Sequence, residues 1–247
     1  MTDDWLTFPL ITLFGGALAL LPLGRQVLHR GVVFIDLAVA QAAAAATLWL
    51  QVFHHTHDDG ILLGASVAGA LCSAALVAKI CQWWPQRREA LIGLLYILGA
   101  SLALLAAQFS PHGKDDLQQL LAADLLWSDG TDALIAVVSG VVVSLLFWFK
   151  RSLLAADILF YGVFAIVASL MVQTLGVFLV FVLLIGPALL FERFSALLSS
   201  AALSLAVGGG LGLSWYLDLP SGICLSLTIS AVSLLALRPN PGASVKL

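Results

Sequence analysis

The sequence predicts an all-α integral membrane protein, a polytopic bundle of about nine transmembrane helices, and three observations predict it. The chain of 247 residues is 61% hydrophobic and only 10% charged, where a soluble globular domain carries roughly 25% charged residues. Its mean hydropathy is +1.06. Long apolar stretches such as Phe8–Leu23, Val32–Phe53 and Ala133–Phe149 recur between short polar breaks. Each approaches the ~20 residues that cross ~30 Å of hydrocarbon as a helix. The alternating segments of roughly 10 residues that a transmembrane barrel needs are absent.

Taken in order, spans are expected at 6–23, 32–52, 61–80, 90–108, 132–149, 157–173, 176–191, 194–213 and 221–237. The stretch from Ser152 to Phe191 reads either as one long tilted helix or as two short ones broken near Gln173-Thr174-Leu175-Gly176. The excess of basic residues on cytoplasmic loops arbitrates. With two spans, Arg25, Arg30, Lys79, Arg87, Arg88, Lys150, Arg151, Arg193, Arg238 and Lys246 share one side, and Lys114 faces the other. With one span, Arg193, Arg238 and Lys246 change sides and the asymmetry blurs. Two spans are therefore expected, with the N-terminus outside and the tail Arg238–Leu247 cytoplasmic. Asp58, Asp59, Asp115, Asp116, Asp129 and Asp218 then fall outside. Between Ser110 and Asp132, Leu117, Leu120, Leu121 and Leu125 recur at helical spacing among polar residues, which predicts an amphipathic helix lying on the outer surface. No repeat or linker divides the chain, so residues 1–247 are read as a single transmembrane domain.

Several classes are excluded. The N-terminus, Met1-Thr2-Asp3-Asp4, lacks the basic start of a signal peptide. Cys72, Cys81 and Cys224 have neither disulfide-framework nor zinc spacing and read as small packing residues. No H-E-x-x-H occurs, and no histidine lies deep in an expected span, which argues against an intramembrane protease. There is no G-x-x-x-x-G-K-[ST] phosphate loop, so the chain is not expected to hydrolyse ATP or to act as an enzyme. No nucleic-acid partner is expected.

Four stretches carry a family likeness. They are Arg30-Gly31-Val32-Val33-Phe34-Ile35-Asp36-Leu37-Ala38-Val39-Ala40-Gln41-Ala42, Arg88-Glu89-Ala90-Leu91-Ile92-Gly93-Leu94-Leu95-Tyr96, Gln173-Thr174-Leu175-Gly176-Val177 running on to Gly186-Pro187-Ala188, and Asp218-Leu219-Pro220-Ser221-Gly222. In this order, from about Arg25 to Leu237, they resemble the ABC-3 permeases, the membrane subunits of zinc, manganese and iron importers. The resemblance implies a type II-like ABC importer architecture in a bacterial cytoplasmic membrane. It also implies a homodimer, a separate cytoplasmic ATPase pair that uses ATP and Mg²⁺, an extracytoplasmic substrate-binding protein, and a divalent metal cargo. By the same likeness, Gly186, Pro187, Ala188, Phe191, Glu192 and Arg193 match the segment that docks on the ATPase. On the residues alone, a proline that stops a span at the surface, followed by an apolar anchor and a charged pair, suits such a contact; a helix end with snorkelling charges is the plainer reading.

The pathway helix departs from the family. Where the family places Asp and His on one face of its second helix, this chain has Leu37 and Gln41. Asp36 stands one position early, about 140° around the helix from Gln41. A carboxamide is a poor ligand for zinc beside imidazole or thiolate, so a non-metal cargo, or a non-transporting scaffold coupled to an ATPase, stands as the alternative. Asp36 reads either as the partner of Arg30 or as a pathway residue, and Gln41 as an interhelical hydrogen-bonding group or as pore lining. The run Ala42–Ala46 reads as close helix packing. His54, His55, His57, Asp58 and Asp59 cluster in the loop after the second span. They form either a weak outer-loop metal site or a solvated polar loop. His112 reads as a turn residue.

Overall fold

The computed structural model describes residues 6–32, 34–54, 59–110, 113–149 and 157–236. Their elements are α1 (Thr7–Arg30), α2 (Ile35–His54), α3 (Asp59–Trp83), α4 (Arg88–Phe109), α5 (Gly113–Leu121), α6 (Gly130–Phe149), α7 (Asp157–Leu175), α8 (Val177–Arg193), α9 (Ala196–Leu217) and α10 (Ser221–Ala236), with 3-10 turns at Pro85–Arg87 and Leu125–Trp127. Nine of these correspond one for one to the expected spans. The tenth, α5, is the expected amphipathic helix: Leu117 and Leu120 pack on Leu48, Ala103 and Ala106, while Lys114, Asp115 and Gln118 stay exposed.

Among the described residues, seven helices, α1, α2, α3, α4, α6, α7 and α9, are long and apolar enough to cross a bilayer. The outward faces of α4 and α6 are aliphatic, with Leu94, Ile97, Leu98, Leu134, Val138 and Leu145 exposed. In water such a surface would be costly; against lipid tails it is matched. Together with the comparisons given below, these helices make the chain a multi-pass membrane protein.

Expected and observed limits differ most in α1. The span expected to stop at Leu23 runs on through Arg25 to Arg30, 24 residues in all, or about 36 Å. That exceeds the hydrocarbon thickness, so the last turns carry their charges beyond it. Gly31 then ends the helix in the left-handed region (φ 60°). Its N–H donates to the Leu28 carbonyl and that of Val32 to Val27, the paired hydrogen bonds of a Schellman cap.

The stretch 152–191 contains two helices. Gly176 adopts φ 76°, and a Cβ there would lie 2.6 Å from the Ala123 nitrogen, so the elbow needs glycine. Asp157 at the start of α7 pairs with Arg30, and Phe191 near the end of α8 lies under the Arg25 guanidinium. Both helices therefore reach the same end of α1, and the chain reverses between them. The shortness of α8 (17 residues) has a physical reason. α8 is enclosed by α1, α7 and α10, with Leu179, Leu183 and Leu184 buried, so its length is matched to protein neighbours rather than to lipid.

The bundle has a basic end, where Arg25, Arg30, Arg88 and Arg193 collect, and an acidic end formed by α5, the Gly176 elbow and the starts of α6 and α10. At the acidic end the Ser221 hydroxyl donates to Asp124 (2.6 Å), and the Ser221 N–H donates to the same oxygen (3.3 Å). Segment 121–127 thus braces both the α7–α8 elbow and the first turn of α10.

Candidate functional site

The acidic end opens into a cavity of about 490 Å³ bounded by α2, α3, α5, α6 and α7. Its rim carries Asp116, Asp129 and Asp132, and its walls carry Gln51, Gln119, Gln173, Thr47 and Thr174. The start of α6 explains how two of the carboxylates are held. Asp129 accepts from the N–H groups of Thr131 (2.8 Å) and Asp132 (3.0 Å), and Asp132 accepts from the Asp129 N–H (3.3 Å). This reciprocal cap satisfies the free donors of the first turn and sets negative charge at the positive end of the helix. On the wall, the Gln51 Oε1 is buried and has no hydrogen-bond partner among the described residues.

The cavity is blind. Leu63 and Leu170 line its lower wall. One turn deeper the Ser66 and Ser169 hydroxyls bond at 2.7 Å and draw α3 onto α7. Further down, Ser73 donates to the Ala38 carbonyl (3.3 Å) and joins α3 to α2.

The residues expected to form the pathway lie below this closure. Asp36 is 2% exposed in the first turn of α2 and accepts the Leu37 N–H (2.8 Å). The expected Arg30–Asp36 ion pair does not form. Arg30 is taken instead by Asp157 and lies over the Phe160 ring, because α7 begins beside the end of α1. Leu37 packs into the core, and Gln41 is buried against the α4 backbone, where a Cβ on Gly99 would come within 3.1 Å of its Cβ. Asp36, Leu37 and Gln41 do not line the cavity. Ala43, Ala44 and Ala45 are buried, and Gly69 of α3 sits against Ala42 and Ala46, so this run is close packing.

Of the loop cluster, His54 ends α2 exposed, while His55, His57 and Asp58 lie outside the described residues, as does the side chain of Asp59. His112, Lys150, Arg151, Arg238 and Lys246 are also outside them. Among the described residues, no three His, Cys, Asp or Glu side chains gather into a metal-sized group.

Pro187 corrects a further expectation. It does not stop a span at the surface; α8 runs through it to Arg193, and Gly186, Pro187 and Ala188 are all buried. Gly186 lets α10 approach closely, since a Cβ there would lie 2.8 Å from the Ser233 hydroxyl. The basic-end turn begins later. Phe191 is half-buried, Glu192 and Arg193 are exposed, and α9 restarts at Ala196 with Ser195 as its cap. The Ser199 hydroxyl and the Phe194 N–H both donate to the Leu190 carbonyl (3.0 and 2.9 Å), which fixes this turn.

Asp116 and Asp129 were expected among the outer acidic residues and Gln173 and Thr174 at the α7–α8 break, but the sequence did not group them, or Gln51 and Asp132, into one site. The available signal was Gln51 and Gln173, polar groups near the same end of otherwise apolar helices. Their convergence with Asp116 and Asp132 needs the fold.

No family model matches the chain. A probable metal transport system membrane protein from Chlamydia muridarum is 23% identical, in an alignment covering 94% of this chain and 88% of that protein. The structure of PsaBC from Streptococcus pneumoniae, in complex with Fab, superposes with a TM-score of 0.72 at 18% identity, covering 97% of this chain and 93% of that one. The resemblance to the ABC-3 permeases holds. Both likenesses extend over nearly the whole chain.

Proposed function

We propose that this chain is the membrane-spanning permease subunit of an ABC transporter that imports divalent metal ions of the zinc or manganese type. The observation that carries this reading is the blind cavity at the acidic end, ringed by Asp116, Asp129 and Asp132. A recess with carboxylates at its mouth concentrates cations from solution, and its closed floor prevents a leak. In this reading the acidic end faces outward and receives cargo from a binding protein. The basic end is cytoplasmic, in keeping with the loop charges. There the turn Phe191-Glu192-Arg193 meets a separate ATPase, which uses ATP and Mg²⁺, and two copies of the chain complete the pathway.

On the α2 face where the resembled family places a carboxylate and an imidazole, the interior offers Leu37 and Gln41, so the cation is expected to pass without being held tightly there. A neutral amide cannot offset dehydration of a divalent ion in a low-dielectric bundle. The same feature favours a second reading, a permease of this fold for a non-metal cargo, because glutamine and threonine also suit an uncharged hydrogen-bonding solute.

The test is uptake by proteoliposomes holding the chain with its ATPase and binding protein. ATP-dependent accumulation of Zn²⁺ or Mn²⁺ is expected. The variant D116N/D129N/D132N, which keeps side chains able to cap α6, should slow uptake roughly ten-fold at low cation concentration. Active hydrolysis with no accumulation of Zn²⁺, Mn²⁺ or Fe²⁺ would favour the non-metal cargo.

A further inference from the structure

We propose that the α3–α4 turn is a docking site for anionic phospholipid headgroups. The inference starts from the outward face of α3. Cys72, Leu76, Lys79 and Trp83 are all exposed, and their spacing puts them on one helical stripe within about 60°. An apolar strip that meets lipid therefore runs without a break into a lysine and then a tryptophan. Trp84 follows, and the two indoles meet edge to face at 5.6 Å, with 64% and 51% of their surfaces exposed. Tryptophan at the end of a lipid-facing stripe belongs at headgroup level, where its ring is apolar and its N–H is wet.

The backbone fixes the turn. The Trp84 N–H donates to the Ile80 carbonyl (2.9 Å), and the Arg87 N–H donates to that of Trp84 (3.0 Å), closing the Pro85–Arg87 turn. The turn presents Lys79 and Arg87 to solvent, with Arg88 reaching back over Gly31; the nearby carboxylate is Glu89. Two exposed cations, Lys79 and Arg87, at the rim of an apolar face complement a phosphate layer bearing negative charge, with Glu89 the neighbouring exposed carboxylate and Asp157 at the same end paired with Arg30. Each such cation near an anionic membrane surface contributes favourably. Lys79 and Trp83 continue the exposed stripe of α3 that carries Cys72 and Leu76. The proposal depends on neither the cargo nor the transport direction.

The experiment uses the purified full-length chain in mixed phosphatidylglycerol and phosphatidylcholine, with retained lipid counted by native mass spectrometry. Wild type should retain phosphatidylglycerol preferentially. K79Q/R87Q should reduce that preference roughly ten-fold, W83F/W84F should reduce it less, and K114Q at the opposite end should leave it unchanged. Both pairs of substitutions lie on exposed side chains, and a thermal melt verifies that each variant is folded. An unaltered preference in folded K79Q/R87Q would overturn the proposal. If that variant instead loses copurification with the ATPase while keeping its lipid, the turn belongs to a protein contact.

Discussion

Individual residues set how closely the helices approach. At Gly24 any Cβ would run into the Leu184 carbonyl, so α1 and α8 touch backbone to backbone. Gly93 on α4 has open space around it. Gly24→Val should therefore destabilise the bundle by about 3 kcal/mol, while Gly93→Ala should stay within about 1 kcal/mol of wild type. Thermal unfolding in detergent separates the two. The α2 face gives a second residue-scale prediction. Leu37→Asp with Gln41→His would put a carboxylate and an imidazole one turn apart, and the folded variant should gain Zn²⁺ affinity measurable by calorimetry. Wild type, and wild type with His54, His55 and His57 changed to alanine, should both lack tight binding. Tight binding that survives loss of those histidines would place a metal site elsewhere in the bundle.

Among the elements, the α7–α8 break was legible in the charge pattern, because only a reversal keeps Arg193 on the side of Arg25 and Arg30. The amphipathic α5 was legible in its leucine spacing. Pro187 was misread for a physical reason. A proline inside a helix removes one N–H donor and frees the carbonyl four residues earlier, which ends most helices in water-soluble proteins, but helices packed in a membrane bundle commonly tolerate it. The partner of Arg30 was not legible either, since Asp157 is remote in sequence and meets it only through packing of α7 on α1. Beyond Pro187, the turn after α8 is held by Leu190 and carries two exposed charges, which defines what a substitution there should do. Glu192→Ala with Arg193→Ala should leave the melting temperature within a few degrees of wild type and reduce ATPase copurification. Unchanged copurification together with unchanged coupled turnover would remove this turn from the proposed interface.

At the scale of the whole molecule, the order of the apolar helices could be read from apolar length together with loop charge, whereas the cavity could not. Five helices contribute to its lining, and residues as distant as Gln51 and Gln173 have no periodic relation that a linear scan detects. The orientation proposed for the bundle is checked by single-cysteine labelling in a background lacking Cys72, Cys81 and Cys224. An impermeant reagent applied to intact cells should modify Asp59→Cys and spare Ser244→Cys; the reverse pattern would invert the topology.

The brace at the acidic end has a consequence for how the chain is made. Segment 121–127 leaves the ribosome before Gly176 and Ser221, the two points it secures. The hairpin of α7 and α8, and later the first turn of α10, therefore insert against a surface that already exists. The contact of Asp124 with Ser221 is therefore expected to matter most while α10 is docking. Asp124→Ala should slow the appearance of the protease-resistant form in a pulse-chase while leaving membrane targeting intact. Thr or Val at Gly176, where the left-handed elbow is lost, should have the larger effect, trapping α7 and α8 outside the bundle for the quality-control proteases to remove.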